Sequence, residues 1–348
     1  MRAITVVPGR KGSIAVVDID EPDPAYGSIL VDGVALGICG TDTEIADGQY
    51  GEAPGGFERL VLGHESLGRV REAPAGSGLS AGDLVVGIVR RPDPVPCACC
   101  GRGEWDMCRN GAYTERGIKG LHGYGAQRWR IEPEFAVGVD RRLGLTGVLM
   151  EPTSIVAKAW THIDAIASRA CTDSRTVLVT GAGPIGLLAA MMGIQRGHEV
   201  HVLDHHEDGP KPRLVEALGA TYHYEGMSKA PEADVLIEAT GVPKLVLEAM
   251  EHARPDGVVC LTGVSPVGDE LVVDIGRLGR RIVLGNQVVF GTVNANRDHY
   301  RQAADALAAA DREWLDGIIT RRVPLERAPE ALRREPDDIK VVVDLSTA

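Results

Sequence analysis

The sequence has no apolar run near the length needed to span a bilayer, so no membrane-crossing helix is expected. It has no surplus of positive charge. Against 49 acidic residues stand 37 basic ones, a net charge of −12, which argues against nucleic acid and anionic membrane as partners of the whole surface. The opening residues, Met1-Arg2-Ala3-Ile4-Thr5-Val6-Val7-Pro8, lack the apolar core of a signal peptide, and the expected location is the cytoplasm. Internal repeats and low-complexity blocks are missing. A disulfide framework is also missing: in a reducing compartment the cysteines, Cys39, Cys97, Cys99, Cys100, Cys108, Cys171 and Cys260, are free thiols or ligands. Four of them crowd into one Gly/Pro-rich segment, which points to a metal.

What remains is an ordinary globular composition, 44% hydrophobic and 25% charged. A chain of 348 residues has two domains as its natural division.

The sharpest motif lies mid-chain. Residues 176–180 form a β-branched run that predicts a buried parallel strand. Gly181-Ala182-Gly183-Pro184-Ile185-Gly186 follows at once, and residues 187–196 predict an apolar helix. Gly181 permits a tight turn, Gly183 lets backbone approach a pyrophosphate, and Gly186 lets helix and strand pack closely. The free N–H groups of that helix then face the phosphates. The next strand, residues 199–203, ends at Asp204, about 20 residues downstream as a dinucleotide fingerprint requires. A carboxylate there accepts hydrogen bonds from both ribose hydroxyls of NAD and repels the 2′-phosphate of NADP. No arginine occupies the next two positions, so NAD is expected over NADP. His205 and His206 follow; protonated they soften that repulsion, and otherwise they are a solvated loop.

Residues 1 to about 150 give short β runs at 3–7, 13–17, 28–35, 66–71 and 83–89, broken by glycine and proline. They predict a mostly antiparallel β domain with long connections. Cys39 and, about 25 residues later, His64-Glu65 supply the ligand types that zinc takes at catalytic sites, where about three protein ligands leave one position open. The third ligand is Glu65 or a distant residue, for which Glu151 is the candidate. The second cluster, Cys97, Cys99, Cys100 and Cys108, suits a closed structural zinc site or stands as free thiols.

These residues resemble the zinc-containing medium-chain alcohol dehydrogenases over almost the whole chain. The likeness rests on Gly37-Ile38-Cys39-Gly40-Thr41-Asp42, Gly63-His64-Glu65-Ser66-Leu67-Gly68, the cysteine lobe and the turn glycines. Within that superfamily the chain is similar to the glucose dehydrogenase branch, through Val89-Arg90-Arg91-Pro92, Asp106-Met107-Cys108, Tyr113-Thr114-Glu115-Arg116-Gly117-Ile118, Met150-Glu151-Pro152, Glu238-Ala239-Thr240-Gly241, Gly291-Thr292-Val293-Asn294 and Ile339-Lys340-Val341-Val342-Val343-Asp344.

The resemblance implies an α/β protein with a GroES-like, mostly β catalytic domain (1–155 plus 294–348) and a Rossmann domain with a doubly wound parallel sheet (156–293). It implies Cys39 and His64 as zinc ligands, with Glu151 as the third or as the holder of the water on the metal. Glu65 would sit beside the metal, and Thr41 would bind the substrate hydroxyl and pass its proton outward. Asp42 would orient His64, as metal-bound histidines generally require. Glu115, Asn294 and His299 would contact sugar hydroxyls; the plainer reading of Glu115 is a salt bridge. Three departures stand out. The family spacing C-x2-C-x2-C-x7-C puts the first lobe slot on Pro94, beside Asp93, and leaves Cys99 extra, so the lobe is completed by Cys99, by Asp93, or holds no metal. Glu44 stands where many relatives carry a relay histidine. Ile155 stands near an acidic sugar contact of some sugar dehydrogenases.

Beyond Asp204 the sequence predicts helices at 211–218, 243–253 and 301–314, and strands at 234–238, 257–262, 282–284, 288–290 and 340–344. The last of these rejoins the first domain. Thr240 and Thr262, at strand ends, line the nicotinamide side or simply make turns; Asn294 is counted with the cofactor residues as well. The expected activity is hydride transfer from an aldose or polyol hydroxyl to NAD(P), helped by zinc. The alternatives are a sorbitol, threonine or secondary-alcohol dehydrogenase, a biosynthetic ketoreductase on a sugar-like intermediate, and a non-catalytic NAD-binding module. A dimer or tetramer is expected by resemblance, with residues 281–290 as the candidate edge.

Overall fold

The computed structural model describes residues 1–170, 175–265, 268 and 271–346, so Cys171 lies outside the described residues. The chain divides into two compact units: 1–154 with 294–348, and 155–293.

The first unit is built on one long strand, Ile29–Ile38. Its first half alternates buried and half-buried residues, and its last four residues are buried throughout. Glu65–Glu72 pairs antiparallel on one side. On the other side Lys340–Asp344 pairs antiparallel, with Val341 opposite Ile38. Ile319–Pro324 continues the sheet parallel to Lys340–Asp344, and Leu84–Gly87 and Ala136–Val139 extend the opposite flank. The C-terminal strand is therefore a central member of the N-terminal sheet, as the apolar run 340–344 predicts. Arg90–Arg91, Thr114–Arg116 and Gly120–Leu121 make a separate small sheet.

The second unit is a six-stranded parallel sheet. Its order is Thr221–His223, Glu199–Leu203, Thr176–Thr180, Ala233–Glu238, Ala253–Leu261 and Val288–Gly291. The helix Pro184–Gln195 is apolar on all sides and buried from Gly186 to Gly193, as expected for a helix sealed in an α/β core.

Two expectations fail. Residues 282–284 are not a strand but the last turn of the helix Ile275–Leu284, which is capped by the Asp274 carboxylate on the Arg277 amide. A three-residue apolar run carries no period that separates helix from strand. The predicted helix 301–314 is two helices, Arg297–Ala309 and Arg312–Ile318. Asp311 breaks it: its side chain accepts from the Trp314 amide at 2.9 Å and starts a new helix. No described helix is long and apolar enough to cross a membrane.

Candidate functional site

The strand Ile29–Ile38 delivers Cys39 to the N-terminus of the short helix Gly40–Ala46. The Cys39 amide donates to Asp42 Oδ2 at 2.9 Å, which turns the chain and fixes the carboxylate. Asp42 is fully buried, and its other oxygen lies 3.5 Å from His64 Nδ1. His64 precedes the neighbouring strand Glu65–Glu72 and presents Nε2 3.2 Å from Cys39 Sγ. Cys39, His64 and Glu65 offer ligand atoms within 4.8 Å of one another. Glu151, buried in the first turn of the helix Met150–Ala167, lies close enough to His64 and Glu65 to feel both charges. Thr41 is half-buried two residues after Cys39.

The electrostatics of this pocket call for a cation. Burial pushes the Cys39 thiol up, although His64 opposes it, and burial pushes the Glu151 carboxyl up to about 7. Burial would lower His64, yet Cys39 and Asp42 hold it well above its ordinary value. The thiol and three carboxyls (Asp42, Glu65, Glu151) face one fixed cation, Lys340, and crowded acids of this kind are relieved by a divalent ion. The donor set of one thiol, one imidazole and carboxylates fits zinc with a position left open. His64 Nε2 would face the metal while Asp42 orients the ring through Nδ1.

Lys340 was not singled out by the sequence. It is 2% exposed, and its ammonium donates to both Glu65 oxygens at 2.6 and 2.7 Å and to the Ile38 carbonyl at 3.1 Å. Gly37 sits opposite Glu65 across the strands. A Cβ there would fall 2.1 Å from Glu65 Oε2, so the bare backbone makes room for this ion pair.

A second group gathers around Glu115, which is buried rather than part of a surface salt bridge. Its strand partner Arg90 donates to Oε1 through Nε and Nη2 at 3.1 and 3.0 Å. Asn294 Nδ2 donates to the same oxygen at 2.7 Å. These donors all fall on Oε1, which leaves Oε2 as an acceptor for a polyhydroxylated ligand. Asn294 carries this contact with φ at +63°, a conformation asparagine tolerates. His299, buried in the first turn of Arg297–Ala309, has Nδ1 3.9 Å from Asp106 Oδ2.

In the lobe, Cys97, Cys100 and Cys108 bring their sulfurs within 4.8 Å of one another. Cys99 does not join them, contrary to the expectation that included it. It immediately precedes the helical turn Cys100–Arg102, and successive residues in such a turn point about 100–120° apart. The Arg109 amide, 3.5 Å from the Cys97 sulfur, and the Cys100 amide draw that thiol down to about 6, while burial pushes Cys100 up to about 11. Asp93 is buried beside Cys100, with Oδ1 accepting from the Val95 amide at 2.8 Å.

In the second unit the turn glycines behave as their spacing predicts. A Cβ on Gly186 would lie 1.7 Å from the Gly181 carbonyl oxygen, whereas one on Gly183 would meet nothing within 4 Å. The helix Pro184–Gln195 has Gly183 as its N-cap and no side-chain cap, so its first amides face open space that suits a pyrophosphate. The hydroxyls of Thr240 and Thr262 are engaged by Glu238, the first on its carboxylate and the second on its carbonyl at 2.8 Å. Glu238 is fully buried and also accepts from Thr180 Oγ1 at 3.2 Å, tying three strand ends together. These contacts favour the turn reading of both threonines.

Asp204 accepts from the Ala182 amide at 2.7 Å, from the His205 amide at 2.8 Å, from His206 Nδ1 at 2.6 Å and from Lys211 Nζ at 3.1 Å. The carboxylate that was expected to repel a 2′-phosphate is thus met by cationic and N–H donors from its own chain. The expected ranking of NAD over NADP loses its physical basis.

Family comparison agrees with this geometry. Residues 144–345 match the model described as glucose dehydrogenase C-terminus, and residues 25–139 match the alcohol dehydrogenase GroES-like domain. The chain belongs to the glucose dehydrogenase branch of the zinc-containing medium-chain alcohol dehydrogenases. It is 39% identical to a glucose 1-dehydrogenase of Methanocella arvoryzae, over 99% of each chain. It is 40% identical to one of Thermoproteus tenax, over the full length of both. The structure of Haloferax mediterranei glucose dehydrogenase in complex with NADP, Zn and gluconolactone superposes with a TM-score of 0.90 at 32% identity, covering all of both chains.

Proposed function

We propose that this protein is a zinc-dependent, NAD(P)-linked dehydrogenase that oxidises an aldose at C1 to the lactone. The observation that carries it is the convergence of Cys39, His64 and Glu65 in a buried acidic pocket, within the same unit as the Glu115–Arg90–Asn294 group. When bound, zinc supplies Lewis acidity that lowers the pKa of the substrate hydroxyl. Cys39 and His64 hold the ion, with Glu151 or Glu65 beside it. Asp42 keeps His64 in one orientation. Thr41 binds the reacting hydroxyl and passes its proton towards solvent. Glu115 accepts a sugar hydroxyl through Oε2, with Arg90 and Asn294 locking its other oxygen; His299 contacts the sugar too. Gly181–Gly186 would hold the dinucleotide, whose nicotinamide would supply the hydride acceptor.

The test is a panel of aldoses, polyols and amino alcohols with NAD and NADP, before and after chelation. Aldose oxidation that vanishes on zinc removal and returns with zinc supports the reading; full activity without metal overturns it. Cys39→Ser should abolish turnover and leave dinucleotide affinity largely unchanged. Zinc analysis separates an empty from a filled lobe, about one or two ions per chain. We also propose a homo-oligomer joined through the sheet edge Val288–Gly291, which no other described strand covers on its outer side. A monomeric mass at micromolar concentration by light scattering would count against this. The enzyme is assigned to the cytoplasm on its free cysteines.

A further inference from the structure

The cysteine lobe does not offer the four ligands that a closed structural zinc takes. Cys97, Cys100 and Cys108 bring their sulfurs within 4.8 Å of one another, and among the described residues no other cysteine, histidine or carboxylate joins that group. The family spacing puts the missing ligand on Pro94, whose side chain has no donor. Asp93, next to it, turns Oδ1 to the Val95 amide at 2.8 Å. Three thiolates leave one position of a zinc open to water, which is the coordination of a catalytic site and not of a structural one. What the lobe does hold is a pair of thiols in one turn, Cys97-Ala98-Cys99-Cys100.

The Gly101 amide donates to the Cys97 carbonyl at 2.9 Å, so this stretch is a single helical turn. Residues three apart in such a turn have Cα atoms about 5–6 Å apart, inside the range that a disulfide spans. The two thiols differ in access. Cys97 is half-buried, and its sulfur accepts from the Arg109 amide at 3.5 Å. Cys100 is buried. The turn is also tied to the group around Glu115. The Glu104 amide donates to the Cys99 carbonyl and the Met107 amide to the Glu104 carbonyl, both at 3.0 Å. The turn Trp105–Met107 presents the Asp106 carbonyl to Arg90 Nη1 at 3.0 Å, and Arg90 fixes Glu115 Oε1.

We infer that Cys97 and Cys100 are a reversible thiol–disulfide pair, and that closing it slackens the sugar pocket through Arg90. The second half rests on the reading of Glu115 as a sugar acceptor. The oxidant is a hydroperoxide. The more accessible sulfur, that of Cys97, attacks one peroxide oxygen as the thiolate; the O–O bond breaks, a sulfenic acid forms and hydroxide leaves. The Cys100 sulfur then attacks the Cys97 sulfur; the S–O bond breaks, and the thiol proton leaves with the hydroxyl as water. Two electrons pass from the thiols to the peroxide, and a dithiol returns them by exchange. Drawing the two sulfurs into covalent contact shifts the turn, and with it the Glu104 and Asp106 backbone on which Arg90 leans.

The test treats the purified wild type with hydrogen peroxide, alkylates the remaining thiols and maps tryptic peptides by mass spectrometry. Cleavage after Arg102 and Arg109 leaves Cys97, Cys99 and Cys100 in one peptide and Cys108 in the next. A Cys97–Cys100 bond should appear within the first, with Cys99 and Cys108 alkylated, and should reopen with a phosphine. On oxidation the KM for the sugar should rise roughly three- to tenfold, the range of one weakened hydrogen bond. The KM for the coenzyme should hold, and reduction should restore the sugar KM. Cys100→Ser should keep the sugar KM of the reduced enzyme and lose this response, which separates the lobe from oxidation at Cys39. Free Cys97 and Cys100 after peroxide, a bond to Cys99 or Cys108, or a disulfide that leaves the sugar KM unmoved overturns the inference. Two zinc ions per chain, with lobe thiols that react only after chelation, overturn it as well. A chain that oxidises no aldose in either state overturns the proposed function and the coupling to Arg90 with it, while the peptide map still decides the disulfide.

Discussion

Lys340 and Glu65 form the tightest buried ion pair of the pocket, at 3% or less side-chain exposure on both sides. Removing one partner leaves a charge stranded in low dielectric. Lys340→Met should therefore cost about 3–5 kcal/mol in urea unfolding, where a surface lysine would cost under about 1 kcal/mol. Gly37→Ala should push Glu65 aside, because the added carbon would sit 2.1 Å from its oxygen; zinc affinity should fall in equilibrium dialysis. Glu115→Gln keeps a hydrogen-bonding shape but leaves Arg90 uncompensated. The KM for the sugar should rise roughly tenfold or more, with the KM for the coenzyme unchanged. Asp204 yields a pH prediction. Its folded pKa lies below the unfolded value, so its contribution to stability is present above about pH 4 and is lost as the pH falls through the folded value. Melting of the wild type should drop more steeply than that of Asp204→Asn as the pH is lowered below about 4, each followed by circular dichroism.

At the scale of single elements, the glycine turn separates folding from binding. Gly186→Ala would drive a methyl to 1.7 Å from the Gly181 carbonyl oxygen, and should destabilise the second unit by at least the 1–3 kcal/mol typical, at about that scale, of overpacking. Gly183→Val places its side chain in open space; melting should hardly move while dinucleotide binding is lost. The break between Arg297–Ala309 and Arg312–Ile318 shows why periodicity alone misjudged this region. The Ala-rich stretch has a helical pattern on both sides, and a single aspartate that accepts from the Trp314 amide decides where one helix stops and the next starts. In the same way residues 282–284 are apolar enough for a strand, yet the Asp274 cap three residues before Arg277 had already committed the segment to a helix.

For the whole molecule, the order of the sheet binds the two ends of the chain. Lys340–Asp344 lies between Ile29–Ile38 and Ile319–Pro324. A chain ending at residue 338 would lose a central strand and the Lys340 charge together, so its first unit should fail to fold, seen as lost near-ultraviolet dichroism. The sequence by itself determined the class of fold, because glycine spacing, the alternation of strands and helices, and the turn acid Asp204 are local patterns with a fixed period. It also picked out Cys39 and His64-Glu65, each at a strand end, whose ligand atoms the structure gathers within 4.8 Å of one another. Only the tertiary structure decided the partners. Lys340 meets Glu65 across 275 positions of chain, Asn294 meets Glu115 across 179, and Lys211 caps Asp204 from a different element. Such pairs follow from sheet order and helix placement, which are set by the packing of the whole core, and no local window of sequence carries that information.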